Sequence, residues 1–274
     1  MVASLDSIVA ATRQRLSERG ITERHGSSLR ELERKAEEHI PRGFRNQLRR
    51  VSHDRIAIIA ELKKASPSKG LIRRDFRPLE LAPELEQAGA AALSVLTDEH
   101  FFQGSLEYLR HASSNSTIPC LRKDFIIDEF QILEARAHRA DAILLIVAAL
   151  EQKELIALAG VARSYDLDVL CEVHDEQELH RAVDAGCDLI GVNNRNLHTF
   201  EVKLETAFRL VEKIPEGCVR VAESGIQSGA DVARLHTAGY DAFLIGESLM
   251  KAEHPGKALL QLMEETRQAS ITSR

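Results

Sequence analysis

Apolar and polar positions along the chain fall into two regimes. Up to about residue 50 the apolar side chains are spaced as one face of a helix. Leu5, Ile8, Val9, Thr12 and Leu16 share such a face, which predicts a helix over Leu5 to Glu18, with Gly20 as its stop. Ser28 followed by Glu31 reads as a capping box opening a second helix, and Pro41-Arg42-Gly43 reads as its end. Phe44 to Arg50 predicts a further short turn of helix. Beyond this leader the pattern changes to short, continuous apolar runs, rich in β-branched residues, that have strand length. They are Ile56–Ala60, Ala92–Leu96, Pro119–Lys123, Ala142–Val147, Asp168–Val173, Leu189–Val192, Val219–Glu223 and Ala242–Gly246.

A continuous apolar run means a strand buried on both faces, the condition of a parallel sheet covered by helices. Four of the runs follow an Ala-Gly-x-Asp-like step: Ala88-Gly89-Ala90-Ala91, Arg139-Ala140-Asp141, Ala185-Gly186-Cys187-Asp188 and Ala238-Gly239-Tyr240-Asp241. Glycine at a helix C-cap permits the left-handed turn that feeds the next strand. Eight buried strands separated by helical segments close best into a (β/α)8 TIM barrel, here with an N-terminal helical extension. The expected division is an extension over residues 1–50 packed on a barrel over 51–274, the two forming one domain. A doubly wound open sheet is disfavoured, because no G-x-G-x-x-G follows the first strand and no run alternates like an edge strand.

In such a barrel the chemistry sits at the C-terminal ends of the strands. The first strand ends in Glu61 and Lys63, which alternation places on one face, followed by Ser66-Pro67-Ser68. An isolated E-x-K is most often a solvated ion pair worth little. The other strand ends change that weighting. They supply Thr97-Asp98-Glu99, Arg122-Lys123-Asp124-Phe125, Glu172, Asn193-Asn194-Arg195, Glu223-Ser224-Gly225 and Gly246-Glu247-Ser248. Two lysines, three glutamates, an asparagine and an arginine thus converge on one mouth. The small-residue loops after strands seven and eight suit a phosphate held by backbone N–H groups and a helix N-terminus. A lysine among carboxylates can keep its proton as a general acid or lose it and form a Schiff base, and the residues alone leave both routes open. His174 reads as a loop histidine, and the mouth lysines would repel a cation, so no metal is expected.

Composition narrows the class. With 274 residues and 44% hydrophobic content the chain can build one large core, and the absence of tryptophan makes that core aliphatic. A net charge of -6 and two scattered Arg-Arg pairs, Arg49-Arg50 and Arg73-Arg74, argue against nucleic-acid binding. Cys120, Cys171, Cys187 and Cys218 form no C-x-x-C pair, so four reduced core thiols are expected. No stretch approaches the roughly 20 apolar residues of a membrane span, and the N-terminus has no basic region followed by an apolar one, which together predict no membrane association and a cytoplasmic location.

The segments Ala60–Gly70 (A-E-L-K-K-A-S-P-S-K-G), Leu121–Phe125 (L-R-K-D-F), Cys171–His174 (C-E-V-H), Gly191–Leu197 (G-V-N-N-R-N-L), Ala222–Ile226 (A-E-S-G-I) and Leu244–Met250 (L-I-G-E-S-L-M) resemble the indole-3-glycerol phosphate synthases of tryptophan biosynthesis over nearly the whole chain. E-x-K-x-x-S-P-S together with R-K-D-F is specific, whereas the phosphate loops are shared by many sugar-phosphate barrels. The resemblance implies a cofactor-free carboxy-lyase that closes the indole ring of 1-(2-carboxyphenylamino)-1-deoxyribulose 5-phosphate with loss of CO2 and water. It implies Lys123 as general acid on the ribulose carbonyl, Glu172 in acid-base or electrostatic support, and Glu61 with Lys63 in the dehydration. Asn193, Arg195 and Glu223 would orient the substrate, with Arg195 on the anthranilate carboxylate. Ser224, Gly225 and the Gly246-Glu247 backbone would hold the phosphate, with Lys63 nearby. Ser66, Pro67, Phe125, Leu144 and Leu197 would contact the rest of the substrate, and the leader would fold over the mouth. A small-molecule sugar-phosphate and anthranilate substrate is the expected partner, and a monomer the expected state.

Two positions depart from some family members, which have serine at each. Glu247 is expected to turn its side chain away and offer only its backbone, and Asn194 is given no role. Two rival readings remain: a phosphoribosyl-amine isomerase, which would have no use for two mouth lysines, and a non-catalytic sugar-phosphate-binding barrel, in which Glu61, Lys63, Lys123 and Glu172 together would be unexplained.

Overall fold

A computed structural model describes residues 4–23, 26–196, 199 and 201–272. Its centre is a closed barrel of eight parallel strands: β1 (Ala57–Leu62), β2 (Ala92–Leu96), β3 (Cys120–Lys123), β4 (Ala142–Ile146), β5 (Asp168–Val173), β6 (Leu189–Asn193), β7 (Val219–Glu223) and β8 (Ala242–Ile245). Each strand pairs with its sequence neighbours and β1 closes the ring by pairing with both β2 and β8. The eight apolar runs are these eight strands. Inside the ring, Ile59, Leu121, Leu144, Leu170, Val221 and Leu244 make an aliphatic core, while the outward-facing residues pack beneath the surrounding helices.

The leader divides among three places. Helix α1 (Leu5–Glu23) runs through Gly20, which does not stop it; one glycine costs a helix only about 1 kcal/mol. Helix α2 (Gly26–Glu37) contains Ser28 within its first turn, so Ser28 is not the cap; α2 ends at Glu37, ahead of the Pro41-Arg42-Gly43 segment. Its Ala36, Leu29 and Leu32 pack on Leu133 and Ala137 at the side of the barrel. Helix α3 (Phe44–Asp54) is longer than a single turn and closes the barrel's lower end, where Phe44, Leu48 and Val51 join the interior core. The Arg45 amide donates to Asp168 Oδ2 at 2.9 Å and its guanidinium meets Asp188 at 3.0 Å, docking α3 on the starts of β5 and β6. Among the described residues of the leader, α1 is what reaches the mouth: Leu5 and Ile8 line the upper cleft.

The αβ step accounts for the lower rim. Gly89, Gly186 and Gly239 all have positive φ, and Arg139 takes the same left-handed turn at φ 67° without being glycine. Asp166, at φ 58° before β5, makes a fifth copy hidden from the pattern because it has neither the alanine nor the glycine. The aspartates that follow secure the preceding strand: Asp141 Oδ2 accepts the Cys120 amide at 2.6 Å and Asp241 Oδ2 the Arg220 amide at 2.7 Å. Asp141 is fully buried and also accepts from His39 at 3.1 Å and from the Arg42 amide at 2.7 Å and side chain at 2.5 Å. Burial alone would raise its pKa, but the hydrogen bonds from His39 and Arg42 outweigh it and hold the carboxyl below its ordinary value.

One cysteine expectation fails. Cys171 on β5 and Cys187 before β6 are joined as a disulfide, leaving Cys120 and Cys218 free. Sixteen residues separate the pair, and the βαβ crossover, not a sequence motif, brings them together. Among the described residues no helix is long and apolar enough to cross a membrane.

Candidate active site

The upper ends of the strands enclose a cleft of about 910 Å³, counting space open to solvent, within the range of small-molecule sites. Its floor is a charged cluster. Lys123, leaving β3, extends across the barrel so that Nζ lies 2.7 Å from Glu172 Oε2 on β5 and 2.9 Å from Glu223 Oε2 on β7. Both carboxylates are almost wholly buried, at 2% and 1% exposure, so their charges depend on this lysine and not on water. Burial alone would deprotonate Lys123, but Glu172, Glu223 and Glu61 outweigh it and keep the ammonium charged well above the ordinary range.

The two carboxylates are driven apart. Burial raises both, and for Glu172 the opposing pull of Lys123, His174 and an Asn193 hydrogen bond wins, lowering its pKa. For Glu223 burial prevails, helped by repulsion from Glu172 and Glu61, and its pKa rises to about 7 despite Lys123. Glu223 Oε1 has no hydrogen-bond partner. A Cβ on Gly191 would overlap that oxygen, so glycine on β6 is what makes room for it. One carboxylate is thus firmly ionised while its neighbour titrates near neutrality, the separation that acid-base chemistry uses.

Beside the floor, Lys63 pairs with Glu61 across 2.5 Å at the exit of β1. A Cβ on Gly246 would strike Glu61, so this glycine admits the Glu61 side chain as well as opening the loop after β8. Ser66 and Pro67 stand over the cleft on a two-stranded hairpin formed by Ala65–Ser66 and Gly70–Leu71. The apolar wall contains the expected Phe125 and Leu144, and also Leu5, Ile8, Leu96, Phe102 and Ile146, which sequence reasoning did not place there. The Phe102 and Phe125 rings lie 6.1 Å apart at a tilt of 37°. Leu197 lies outside the described residues.

A second, more polar recess adjoins the first, lined by Lys63, Lys69, Arg195, Ser224, Gly225, Gly246 and Glu247 among others. Ser224 and Gly225 both have positive φ, at 63° and 77°, a turn that serine adopts only under strain. Here Glu247 departs from expectation. Its carboxylate turns into the recess, 2.6 Å from Lys251, 3.9 Å from Lys69 and 4.0 Å from Arg195. A carboxylate at the start of a short helix, beside cations, is electrostatically favoured there: burial works to raise its pKa, but Lys251, Lys69 and Lys63 outweigh it and lower it.

Several supporting residues escaped sequence reasoning. Asn194 is 2% exposed; its amide donates to the carbonyls of Glu223 at 3.0 Å and Ser224 at 3.2 Å and accepts the Ala207 amide at 3.0 Å, locking the exits of β6 and β7 together. Asp124 accepts from Thr97 at 2.6 Å, from Arg122 at 3.0 Å and from the Phe125 amide at 2.8 Å, fixing the turn that carries Lys123 and Phe125. Asp98 is structural: it caps a short helical turn by accepting the Phe101 amide and pairs with Arg15 of α1 at 2.8 Å, tethering α1 to the rim. His174 lies in the loop after β5, but its side chain is only 13% exposed and wedged between Glu172 and Glu178. No period marks loop residues, so only the strand ends announced themselves in the sequence.

Comparison with known proteins bears on this arrangement. The family model described as "Indole-3-glycerol phosphate synthase" matches residues 5–262. A protein of Koribacter versatilis (strain Ellin345) named indole-3-glycerol phosphate synthase is 57% identical over 263 residues, 96% of this chain and 100% of the relative. A relative of the same name from Polaromonas sp. (strain JS666 / ATCC BAA-500) is 48% identical over 94% of this chain and 97% of its own. Solved structures show the fold alone: a mandelate oxidase variant superposes with TM-score 0.61 at 19% identity, covering 87% of this chain and 93% of that one, and thiamine phosphate pyrophosphorylase from Pyrococcus furiosus with TM-score 0.60 at 18% identity, covering 83% and 99%.

Proposed function

We propose, since this chain belongs to the indole-3-glycerol phosphate synthase family, that it closes the indole ring of 1-(2-carboxyphenylamino)-1-deoxyribulose 5-phosphate in tryptophan biosynthesis, with loss of CO2 and water. The observation that carries the reading is the Lys123 ammonium, held between two buried carboxylates at the floor of an apolar-walled cleft. Ring closure develops negative charge on the ribulose carbonyl oxygen as the anthranilate ring carbon attacks. A positioned ammonium meets that demand by giving up its proton as the oxygen becomes a hydroxyl. A Schiff-base role would instead require the neutral amine, which the surrounding carboxylates oppose.

Attack leaves a positive charge on the ring and its nitrogen, and firmly ionised Glu172 faces it. Loss of CO2 discharges that cation and restores the aromatic ring. Water then departs from the former carbonyl carbon, with Lys63 as acid on the leaving hydroxyl and Glu61 taking the proton lost from the neighbouring position. Asn193 and Glu223 orient the sugar, and Arg195 takes the anthranilate carboxylate. Ser224, Gly225, Gly246 and the Glu247 backbone take the phosphate, assisted by Lys63. Phosphate in that recess would displace the Glu247 carboxylate from its cations, because like charges do not share the space. Residues 1–50 and 51–274 act as one unit, monomeric and cytoplasmic, with α1 shielding the bound substrate and no cofactor taking part.

The test is indole fluorescence on adding the carboxyphenylamino-deoxyribulose phosphate to purified protein with chelator present. A rise is the expected result. Silence from protein shown to bind the compound would leave a non-catalytic sugar-phosphate barrel.

A further inference from the structure

The proposed reaction has a proton deficit. The substrate's carboxylate leaves as neutral CO2, and the dehydration releases hydroxide together with a proton, so each turnover consumes one proton from outside the substrate. With substrate in the cleft and α1 above it, the floor needs a proton source that does not depend on bulk water at that moment. This inference rests on the function proposed above.

The side of Glu172 away from Lys123 is occupied by His174. Two residues apart at the end of a strand, the two side chains share a face, and His174 Nε2 lies 3.5 Å from Glu172 Oε1. Nε2 is buried and makes no hydrogen bond. The opposite ring nitrogen is fixed: Nδ1 lies 2.9 Å from Glu178 Oε2, and the same oxygen accepts the His174 backbone amide at 2.8 Å. Glu178 is itself held at the start of its helix (Glu176–Asp184) by the Asp175 cap, its amide 2.8 Å from Asp175 Oδ1. A carboxylate that orients one ring nitrogen while the other faces a working group is the arrangement that sets an imidazole's tautomer.

We propose that His174, oriented by Glu178, is a positioning and proton-storing residue that acts through Glu172. The Nε2–H bond breaks as a Glu172 Oε1–H bond forms; the neutral carboxyl then turns to present that O–H to the Lys123 amine, left neutral by protonating the substrate oxygen, and the O–H bond breaks as the new N–H bond forms. His174 is then the neutral tautomer, with Nδ1–H on Glu178. Once product leaves, water admitted to the cleft returns a proton to Glu172 and through it to Nε2. The carboxylates nearest the ring are Glu172 from β5, Glu178 from the following helix and Glu223 from β7 at longer range, while Asp175, Arg195, Glu201, Lys203 and Arg209 line the recess that His174 shares on its other side. Burial disfavours the imidazolium, but Glu178, Glu172 and Glu223 outweigh it and raise the His174 pKa above its ordinary value, which favours the charged store.

The test is His174→Asn, whose amide can keep the Glu178 contact but has no proton to release, read by kcat and KM against pH and by thermal unfolding. Expected are a kcat lowered about tenfold, an unchanged KM, an unchanged unfolding midpoint, and loss of the alkaline decline in kcat that follows discharge of the imidazolium. Glu178→Gln should keep that decline and move it to lower pH, because the ring loses its anionic partner. A His174→Asn enzyme with wild-type kcat and an intact alkaline decline overturns the proposal. So does one whose kcat falls only together with stability while the decline persists. Wild-type protein that forms no indole product at all would instead sink the underlying function, a separate result.

Discussion

The barrel has a buried histidine, carboxylate and cation at each end, and the two sets differ in how completely they are satisfied. At the lower end Asp141 accepts from His39, from the Arg42 backbone and guanidinium, and from the Cys120 amide, and both of its oxygens are engaged. At the upper end Glu172, His174 and Lys123 stand together with Glu223, and here Glu223 Oε1 and His174 Nε2 have no hydrogen-bond partner. A saturated buried network spends its hydrogen-bonding capacity on holding one structure. An unsaturated one carries a cost that a ligand or a moving proton can relieve. The same residue types therefore read as scaffold below and as chemistry above, in accord with the division of labour between the two faces of such barrels.

The sharpest way to break this comparison is to remove the cation of the upper cluster and the carboxylate of the lower one. Lys123→Ala should lower kcat by at least about 10³-fold, the scale of a lost general acid, while substrate binding stays within about tenfold. Normal turnover by that variant would unseat the upper cluster as the chemical one. Asp141→Ala should cost about 3–5 kcal/mol in urea unfolding, since it strands Arg42 and His39 in a buried site, yet leave the kcat of folded enzyme unchanged. A smaller effect is expected between the extremes. Asn194→Ala should reduce kcat on the order of tenfold by loosening the turn that aims Glu223, without a direct contact to substrate; unchanged kcat with reduced stability would make Asn194 scaffold as well.

The mildest test uses pH. Glu223, raised to about 7 in the folded state from an unfolded value of about 4.3, contributes stability that is complete below the unfolded value and is lost as pH rises through 7. Asp141 has the opposite sign: its lowered pKa contributes stability present above about 4 and lost as pH falls. Urea midpoints measured from pH 4 to 8 should therefore show a decline toward alkaline pH that Glu223→Gln reduces, His174 and Asp168 carrying the same sign, and that Asp141 substitutions leave in place. If Glu223→Gln follows the wild-type curve, the upper carboxylate is not raised as its surroundings indicate.

What was legible in the sequence follows from which signals have a period. Eight buried strands gave eight apolar runs, and because chemistry sits where a strand ends, Glu61, Lys123, Glu172, Asn193 and Glu223 could be read from run endings alone. Loops have no such register. Thus the aim of Glu247 was misjudged, since a helix's first residue says nothing about which cations will surround its side chain. Asn194 and Asp124 went unassigned because their partners are backbone groups and side chains distant in sequence. His174 does lie in the loop after β5, as expected, but its spacing of two from Glu172 turns the ring toward that carboxylate, and a loop position alone does not say which way a side chain faces. The Cys171–Cys187 pair was invisible for the reason that Arg139 and Asp166 were: each is defined by spatial position and not by residue type.

Helix α3 sets one further condition. Phe44 and Leu48 complete from below the aliphatic core that fills the ring, so the cleft, over the described residues, opens only on the upper face, beneath α1. Substrate in, carbon dioxide, water and indole product out must all share one passage, in sequence. Product cannot be pushed through from behind by the next substrate; it has to clear the doorway first. Congestion at that threshold, governed by how readily the Arg15–Asp98 latch lets α1 lift, would then set the pace of the whole cycle once the chemistry is fast.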